Sequence, residues 1–304
     1  MASDRLAWRL PLRSAILGPV TDLEQLDHGD LGGIARLCER AVADPPSPGE
    51  LDGALFADDQ PSVVLGRRGK GVVAVVECGD GAHIRLLAVD PEARRQGLGT
   101  ALVQAAEDWA RAAGHPRLIT GADPPSYLWP GVPSTETGLL SLFERRHYSR
   151  TEVNFDMDVD LRAIPDDPGG HHLARPDERA EIDAFMAANW DNWRPEVLRA
   201  LDKGNLVVAR DPSGESEAGP TGPGPLSAFC AFEVNRRGTL GPVAVRLDLM
   251  GQGRGRGVLL GALHELRRRG ADHVAVSWVG PVPPYAAVGG QVGAVYFVYR
   301  KELS

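Results

Sequence analysis

One short pattern occurs twice in this chain and limits what it can fold into. Leu87-Ala88-Val89-Asp90-Pro91-Glu92-Ala93-Arg94-Arg95-Gln96-Gly97-Leu98-Gly99-Thr100 is followed later by Val243-Ala244-Val245-Arg246-Leu247-Asp248-Leu249-Met250-Gly251-Gln252-Gly253-Arg254-Gly255-Arg256. A shift of 156 superposes Gly97 on Gly253, Val89 on Val245, Gln96 on Gln252, Gly99 on Gly255, Gly114 on Gly270 and Glu77 on Glu233. Each copy joins an apolar strand to an amphipathic helix through a glycine turn, and such a unit must bury its faces in a core of its own. The 304 residues therefore read as two similar domains. The expected boundaries are 1–162 for the first domain, 163–170 for a linker around Ile164-Pro165-Asp166-Asp167-Pro168-Gly169-Gly170, and 171–304 for the second.

Around the first turn the pattern gives a strand in LRSAILGPV, a helix from Asp30 to Ala43, a short helix at Leu51 to Phe56, and strands at Ser62 to Leu65, Val72 to Cys78 and His83 to Val89. The helix after the turn places Leu98, Ala101, Leu102, Ala105 and Trp109 on one stripe and stops at Gly114. Strand RLITGAD, helix Glu136 to Arg146 and the alternating run Thr151 to Leu161 complete the unit. The second unit repeats this order, with PSGESEAGPTGPGP inserted between its first two hairpin strands as a segment too poor in apolar residues to order itself.

Composition narrows the function. A net charge of −8 with no dense Lys/Arg block argues against nucleic acid and suits a cationic small molecule, or simply solubility. No window has the apolar length to span a membrane, and Cys38, Cys78 and Cys230 are odd in number and set far apart in apolar patterns. The expectation is a cytoplasmic protein with no structural disulfide, no metal site, no membrane partner and no nucleic-acid partner, as a monomer or homodimer.

A glycine turn at a helix start leaves backbone N–H groups aimed at one point where the helix dipole favours an anion, and it suits a pyrophosphate. A Walker loop needs Gly-Lys-Ser/Thr there, and none is present. A Rossmann fingerprint needs a third glycine at position 102, which is Leu, and a turn in the first strand–helix unit. What remains, Arg94-x-x-Gly97-x-Gly99 after a strand ending Leu-Ala-Val, resembles the acyl-CoA pyrophosphate motif of the Gcn5-related N-acetyltransferase (GNAT) superfamily, and the tandem order resembles its mycothiol synthase-like members.

The resemblance implies a mixed α/β fold of two tandem GNAT domains, each a mostly antiparallel sheet whose fourth and fifth strands run parallel and part to admit acetyl-CoA. It implies that Leu87, Ala88 and Val89 pair with the pantetheine arm while Arg94, Arg95, Gln96, Gly97, Leu98, Gly99 and Thr100 form the pyrophosphate turn. In the second domain Val243, Ala244, Val245, Gln252, Gly253 and Gly255 correspond, but Met250 stands where Arg94 does. A frame two residues later, Gln252-x-x-Gly255-x-Gly257, restores the motif. Cofactor binding there and a degenerate copy kept for packing both stand.

Transfer from a thioester to an amine needs a proton acceptor for the amine and a donor for the leaving thiolate. The superfamily's Tyr-x-x-x-Gly helix is matched by Tyr285 and Gly289, whereas the first unit has Phe143 and His147 at those places. Tyr285 is thus the candidate acid, or a core tyrosine packing on its sheet. Glu77 and Glu233, the acids matched by the shift, are candidate bases, or solvated hairpin ends. The implied function is acetyl transfer from acetyl-CoA to a primary amine of an unidentified small molecule or peptide, in a ternary complex. The other reading is a non-catalytic acyl-CoA sensor with one or both domains degenerate.

Overall fold

A computed structural model describes residues 22–56, 60–79, 81–211 and 224–303. The strand expected in LRSAILGPV and most of the PSGESEAGPTGPGP segment lie outside the described residues. The chain divides into two compact units, Met1–Val153 with Tyr296–Ser304, and Asn154–Val295.

In the first unit β1 (Glu24–Gln25) precedes helices α1 (Leu31–Ala41) and α2 (Pro48–Leu55), then strands β2 (Ser62–Arg67), β3 (Gly71–Cys78) and β4 (Gly81–Val89). Helix α3 (Leu98–Ala112), β5 (Arg117–Thr120), β6 (Val132–Pro133), α4 (Thr137–Arg145) and β7 (Ser149–Asp160) follow. Helix α2 starts earlier than the apolar pattern indicates, because Ser47 and Glu50 close a reciprocal cap on either side of Pro48. Strands β1 to β4 pair antiparallel in sequence order. Strand β3 is apolar on both faces because helices cover both: Val73 and Val75 pack with α3, and Val72 and Ala74 pack with α1 and α2. Each such buried valine side chain contributes about 1.5–3 kcal/mol.

The second unit contains β8 (His171–Leu173), α5 (Arg179–Asn189), α6 (Arg194–Asp202), β9 (Leu206–Arg210), β10 (Leu226–Phe232), β11 (Thr239–Val245), α7 (Gly255–Arg268), β12 (His273–Val276), α8 (Val282–Ala286) and the start of β13 (Gln291–Glu302). It has the same two-sided core, with Cys230, Phe232 and Leu240 against α7, and Phe229, Ala231 and Val208 against α5 and α6.

The units are not the contiguous halves expected from the sequence. Strand β7 gives Asn154–Asp160 to the second unit, where Met157 to Asp160 pair antiparallel with β12. Strand β13 gives its last residues to the first unit, where Arg300 to Glu302 pair with β5 and Tyr296 and Phe297 pair with β6. The boundary at 163–170 is therefore corrected: that stretch lies inside the second unit, and the chain's last strand completes the first. Within the first unit Glu107 ties the end of β13 to α3. It lies buried on α3 and accepts two bonds from Arg146, one from the Tyr148 hydroxyl and one from Lys301 Nζ of β13 at 3.1 Å.

Candidate functional site

In the first unit the parallel pairing of β4 with β5 covers only Ala82, His83 and Ile84, opposite Leu118, Ile119 and Thr120. A last link runs from Gly121 N–H to Ile84 O at 2.9 Å, and then the strands part. A bulge at Arg85 makes the parting possible: Val75 faces Ile84 but Ala74 faces Leu86. Beyond it Leu87, Ala88 and Val89 keep their β3 partners while their other edge has lost β5. The second unit forks in the same way. Thr239 and Leu240 pair with Ala275 and Val276, Ser277 N–H closes on Leu240 O at 3.1 Å, and β11 then separates from β12 with a bulge of its own.

At the open end of each fork lies the glycine turn. Helix α3 is capped by Gly97 in the left-handed conformation, with no side chain on its N–H groups, and the first helical bond is Ala101 N–H to Gly97 O. Its first N–H groups are left for an external anion. The two turns share one backbone path: φ is positive at Arg95 (63°) and Gly97 (86°), and at Gly251 (77°) and Gly253 (75°). The shift of 156 therefore aligns the second turn, and the later frame through Gly257 fails because α7 has already begun at Gly255.

The glycines are not equivalent. A Cβ at Gly97 or Gly253 would meet open space, so their role is the left-handed turn. A Cβ at Gly99 would lie 3.8 Å from Val89 Cγ2 and 3.4 Å from Leu142 Cδ2, and one at Gly255 would lie 3.4 Å from Val245 Cγ1. These are ordinary contact distances, so a side-chain carbon would fit at either position and the helix start touches the strand without needing glycine there. Arg94 does not aim at the anion position: its Nε donates to Val89 O at 3.1 Å and its NH2 to Ala41 O at 2.9 Å. In the second unit Met250 is 56% exposed and makes no such bond, yet the corresponding carbonyl of Val245 is held by Trp190 Nε1–H at 2.8 Å. Different side chains thus hold the same strand end. Arg95, Gln96, Leu98, Thr100 and Gln252 lie on the turns themselves, with Gln96 and Gln252 donating to Glu92 O and Asp248 O. Asp90, beside Arg40, has its carboxyl held below the usual range.

The two glutamates are not a matched pair. Opposite the common fork, Val75 faces Ile84 while Phe232 faces Leu240, so β10 follows β3 at a shift of 157 and the second hairpin is one residue shorter. Glu77 accordingly corresponds to Val234. Glu77 pairs across from Ala82, 3.2 Å from His115 Nε2, seven residues of strand or about 23 Å from Val89. Glu233 has φ +48° and accepts Gly238 N–H in its own turn at 2.9 Å. Neither faces the open edge beyond the fork.

Tyr285 is buried on α8 against the α7-side core of its unit, beside Cys230, and burial holds its hydroxyl well above the usual range. Gly289, at φ +91°, follows α8 as His147, at φ +64°, follows α4. Phe143 is sealed between Tyr148 and Tyr299, with ring centroids at 5.2 and 5.8 Å, and offers no hydroxyl. The sequence reading missed a polar group under the first fork. Arg85 is paired with Asp123 and also donates to Ala54 O and to Gln60 Oε1, and His83 Nδ1 lies 2.8 Å from Gly121 O. The signal was a mismatch in the repeat: at shift 156 these positions become Gly241, Val279 and Thr239.

A family model, described as Acetyltransferase (GNAT) family, matches residues 34–126, from within α1 through both sides of the fork. These residues form a GNAT acetyltransferase domain. Solved GNAT structures match the tandem fold. A GCN5-related N-acetyltransferase from Sphaerobacter thermophilus is 22% identical over 92% of this chain and 95% of its own, with a TM-score of 0.65. A tandem GNAT protein from the clavulanic acid biosynthesis pathway is 18% identical over 93% and 99%, also at 0.65. The GCN5-related glucosamine N-acetyltransferase region of a fungal multi-domain β-N-acetylglucosaminidase is 20% identical over 94% of this chain at 0.73, but the chain spans only 38% of that protein. No curated protein matches the sequence. Among the described residues no helix is long and apolar enough to cross a membrane, and no His, Cys, Asp and Glu cluster could hold a metal ion.

Proposed function

We propose that this GNAT protein transfers an acetyl group from acetyl-CoA to the primary amine of a small molecule or peptide by direct attack in a ternary complex. The observation that carries the proposal is the uncapped start of α3, set at the open end of two strands that part after a single bulge. The left-handed turn offers backbone N–H groups to a pyrophosphate, and the unpaired edge of Leu87 to Val89 offers main-chain partners to an extended pantetheine arm. The second unit keeps the same turn and fork, which supports a second cofactor position built from Val243 to Val245 and Gly251 to Gly255. There Tyr285, still protonated in its buried setting, is placed on the element that follows the fork and would supply the proton for the leaving thiolate.

The reading of a non-catalytic acyl-CoA binder draws on Phe143, which leaves the first fork without that donor. Single-turnover release of CoA thiol from acetyl-CoA with glucosamine, spermidine and a peptide N-terminus separates the two. Glucosamine comes first because a structural neighbour carries a glucosamine N-acetyltransferase region, and spermidine because the chain's charge of −8 favours cations. Thiol release with any of them supports the enzyme. Acetyl-CoA binding without transfer to any acceptor supports the sensor.

A further inference from the structure

The two forks differ most at their closed ends, where the strands part. Each parting coincides with a bulge, which turns two consecutive residues toward the same face of the sheet. In the first unit these are Arg85, which reaches α2, and Leu86, which packs with α1 and α2. In the second, Gly241 and Pro242 stand opposite Ala231 alone. They lie between Leu240 and Val243 on the α7 side, so the bulge looks toward the α5–α6 core that contains Ala231.

Side chains fill the first closed end. Arg85 is 3% exposed and Asp123 0%, and the guanidinium is held by Asp123, the Ala54 carbonyl and Gln60 Oε1. An apolar chain entering there would have to part a buried ion pair, which costs more than its own burial returns. The second closed end is bare. Gly241 has φ +133°, a conformation that only glycine adopts readily. Among the described residues, and apart from its chain neighbours, a Cβ built on it meets only Ser277 O, at 3.9 Å. Thr239 turns its hydroxyl to Arg236 O at 2.7 Å, and Val279, in the place of Asp123, is buried in the α7-side core. Trp278 takes φ +52°, a strained value for so large a residue, and its N–H is held by buried Asp156 at 2.8 Å. Strand β12 thus turns away directly after its last link to β11. No residue from Thr239 to Pro242 or from Ser277 to Val279 is charged.

We propose that the bulge residue selects the acyl group: Arg85 restricts the first fork to acetyl, and Gly241 fits the second to a straight-chain acyl group longer than acetyl, of about butyryl length. This rests on the acyl-CoA reading above and concerns which thioester each unit accepts. A pantetheine arm laid from Val245 back along Val243 brings its sulfur to the bulge. The acyl carbons are what continue beyond the sulfur, into the space beside Gly241. Butyryl adds two methylenes to acetyl, fewer atoms than the Arg85 side chain places at the same position of the first fork. Each methylene taken out of water tightens binding about fourfold, so butyryl-CoA gains about fifteenfold over acetyl-CoA in the second unit.

The test needs no known acceptor. CoA, acetyl-CoA and butyryl-CoA are titrated calorimetrically into the full chain and into Gly97→Glu and Gly253→Glu, each of which sets a carboxylate beside the N–H groups of one turn and leaves the other site. The expected result is butyryl-CoA binding about fifteenfold tighter than acetyl-CoA in Gly97→Glu and no tighter in Gly253→Glu. Gly241→Ala, added to Gly97→Glu, should cut that gain to about fourfold. Arg85→Gly with Asp123→Val, added to Gly253→Glu, should create a gain in the first site. Equal affinity for the two thioesters in Gly97→Glu, or the same gain in both single variants, overturns the assignment, as does a second unit that binds no CoA species. Failure of the wild-type chain to bind CoA or acetyl-CoA overturns the proposed function instead. If the variants do not fold, the wild-type isotherms decide: one site of two that tightens with chain length supports the proposal, and two that move together, or neither, refute it.

Discussion

Gly97→Ala isolates what the turn does, because the structure separates its costs. The residue has φ +86°, and an added Cβ would meet nothing within 4 Å, so no side-chain clash contributes. The cost to folding is the left-handed backbone alone, about 1–2 kcal/mol, or about 2–8 °C in the melting of the first unit. The cost to binding has a different origin. The new methyl stands beside N–H groups left open at the start of α3, and each charge-assisted bond to a phosphate is worth about 1.5–3 kcal/mol. Losing one raises the Kd for acetyl-CoA by about ten- to a hundredfold. Gly97→Asn tolerates the left-handed conformation better, so it should melt closer to the wild type while binding as weakly as the alanine variant. Gly253→Ala should act on the second site alone. Gly33→Ala, on α1 with open space around it and no positive φ, serves as control and should stabilise by about 0.4–1 kcal/mol. Calorimetry and thermal melts at one fixed ionic strength read both quantities. An alanine variant that melts earlier but binds acetyl-CoA as the wild type does would refute the argument that the turn's N–H groups hold the phosphate.

Three further outcomes follow from the geometry. Arg94→Ala frees the Val89 and Ala41 carbonyls and should weaken acetyl-CoA binding in the first unit several-fold, while Trp190→Phe, which frees the Val245 carbonyl, should weaken it in the second; binding unchanged in both variants would show that these donors do not shape the turns. Glu107→Ala strands Arg146, Lys301 and the Tyr148 hydroxyl around an empty acceptor and should cost the first unit about 3–5 kcal/mol in chemical denaturation. Burial pushes Glu196 on α6 up to about 8, against an ordinary value of 4.5; its contribution to folding is complete below 4.5 and is lost as pH rises toward 8, so Glu196→Gln should flatten the fall in stability of the second unit over that window.

The sequence by itself determined the duplication, the glycine turns and the class of fold, because these depend on local residue types: a left-handed turn needs glycine, an amphipathic helix needs its stripe, and a strand covered on both faces is apolar throughout. It also identified Tyr285 and Phe143 as occupants of one position in two copies. It did not determine which sheet a strand joins. The run Thr151 to Leu161 alternates in the same way whether it completes the first unit or the second, and only the tertiary pairing of β7 and β13 decided the exchange. The register of the second hairpin was hidden for a related reason, since a one-residue deletion in a turn leaves both flanking strands apolar while separating Glu77 from Glu233. The polar group under the first fork was hidden as well. His83, Arg85 and Asp123 are isolated polar residues in apolar surroundings, about 40 positions apart along the chain, and only the bulge in β4 and the parting from β5 bring them together.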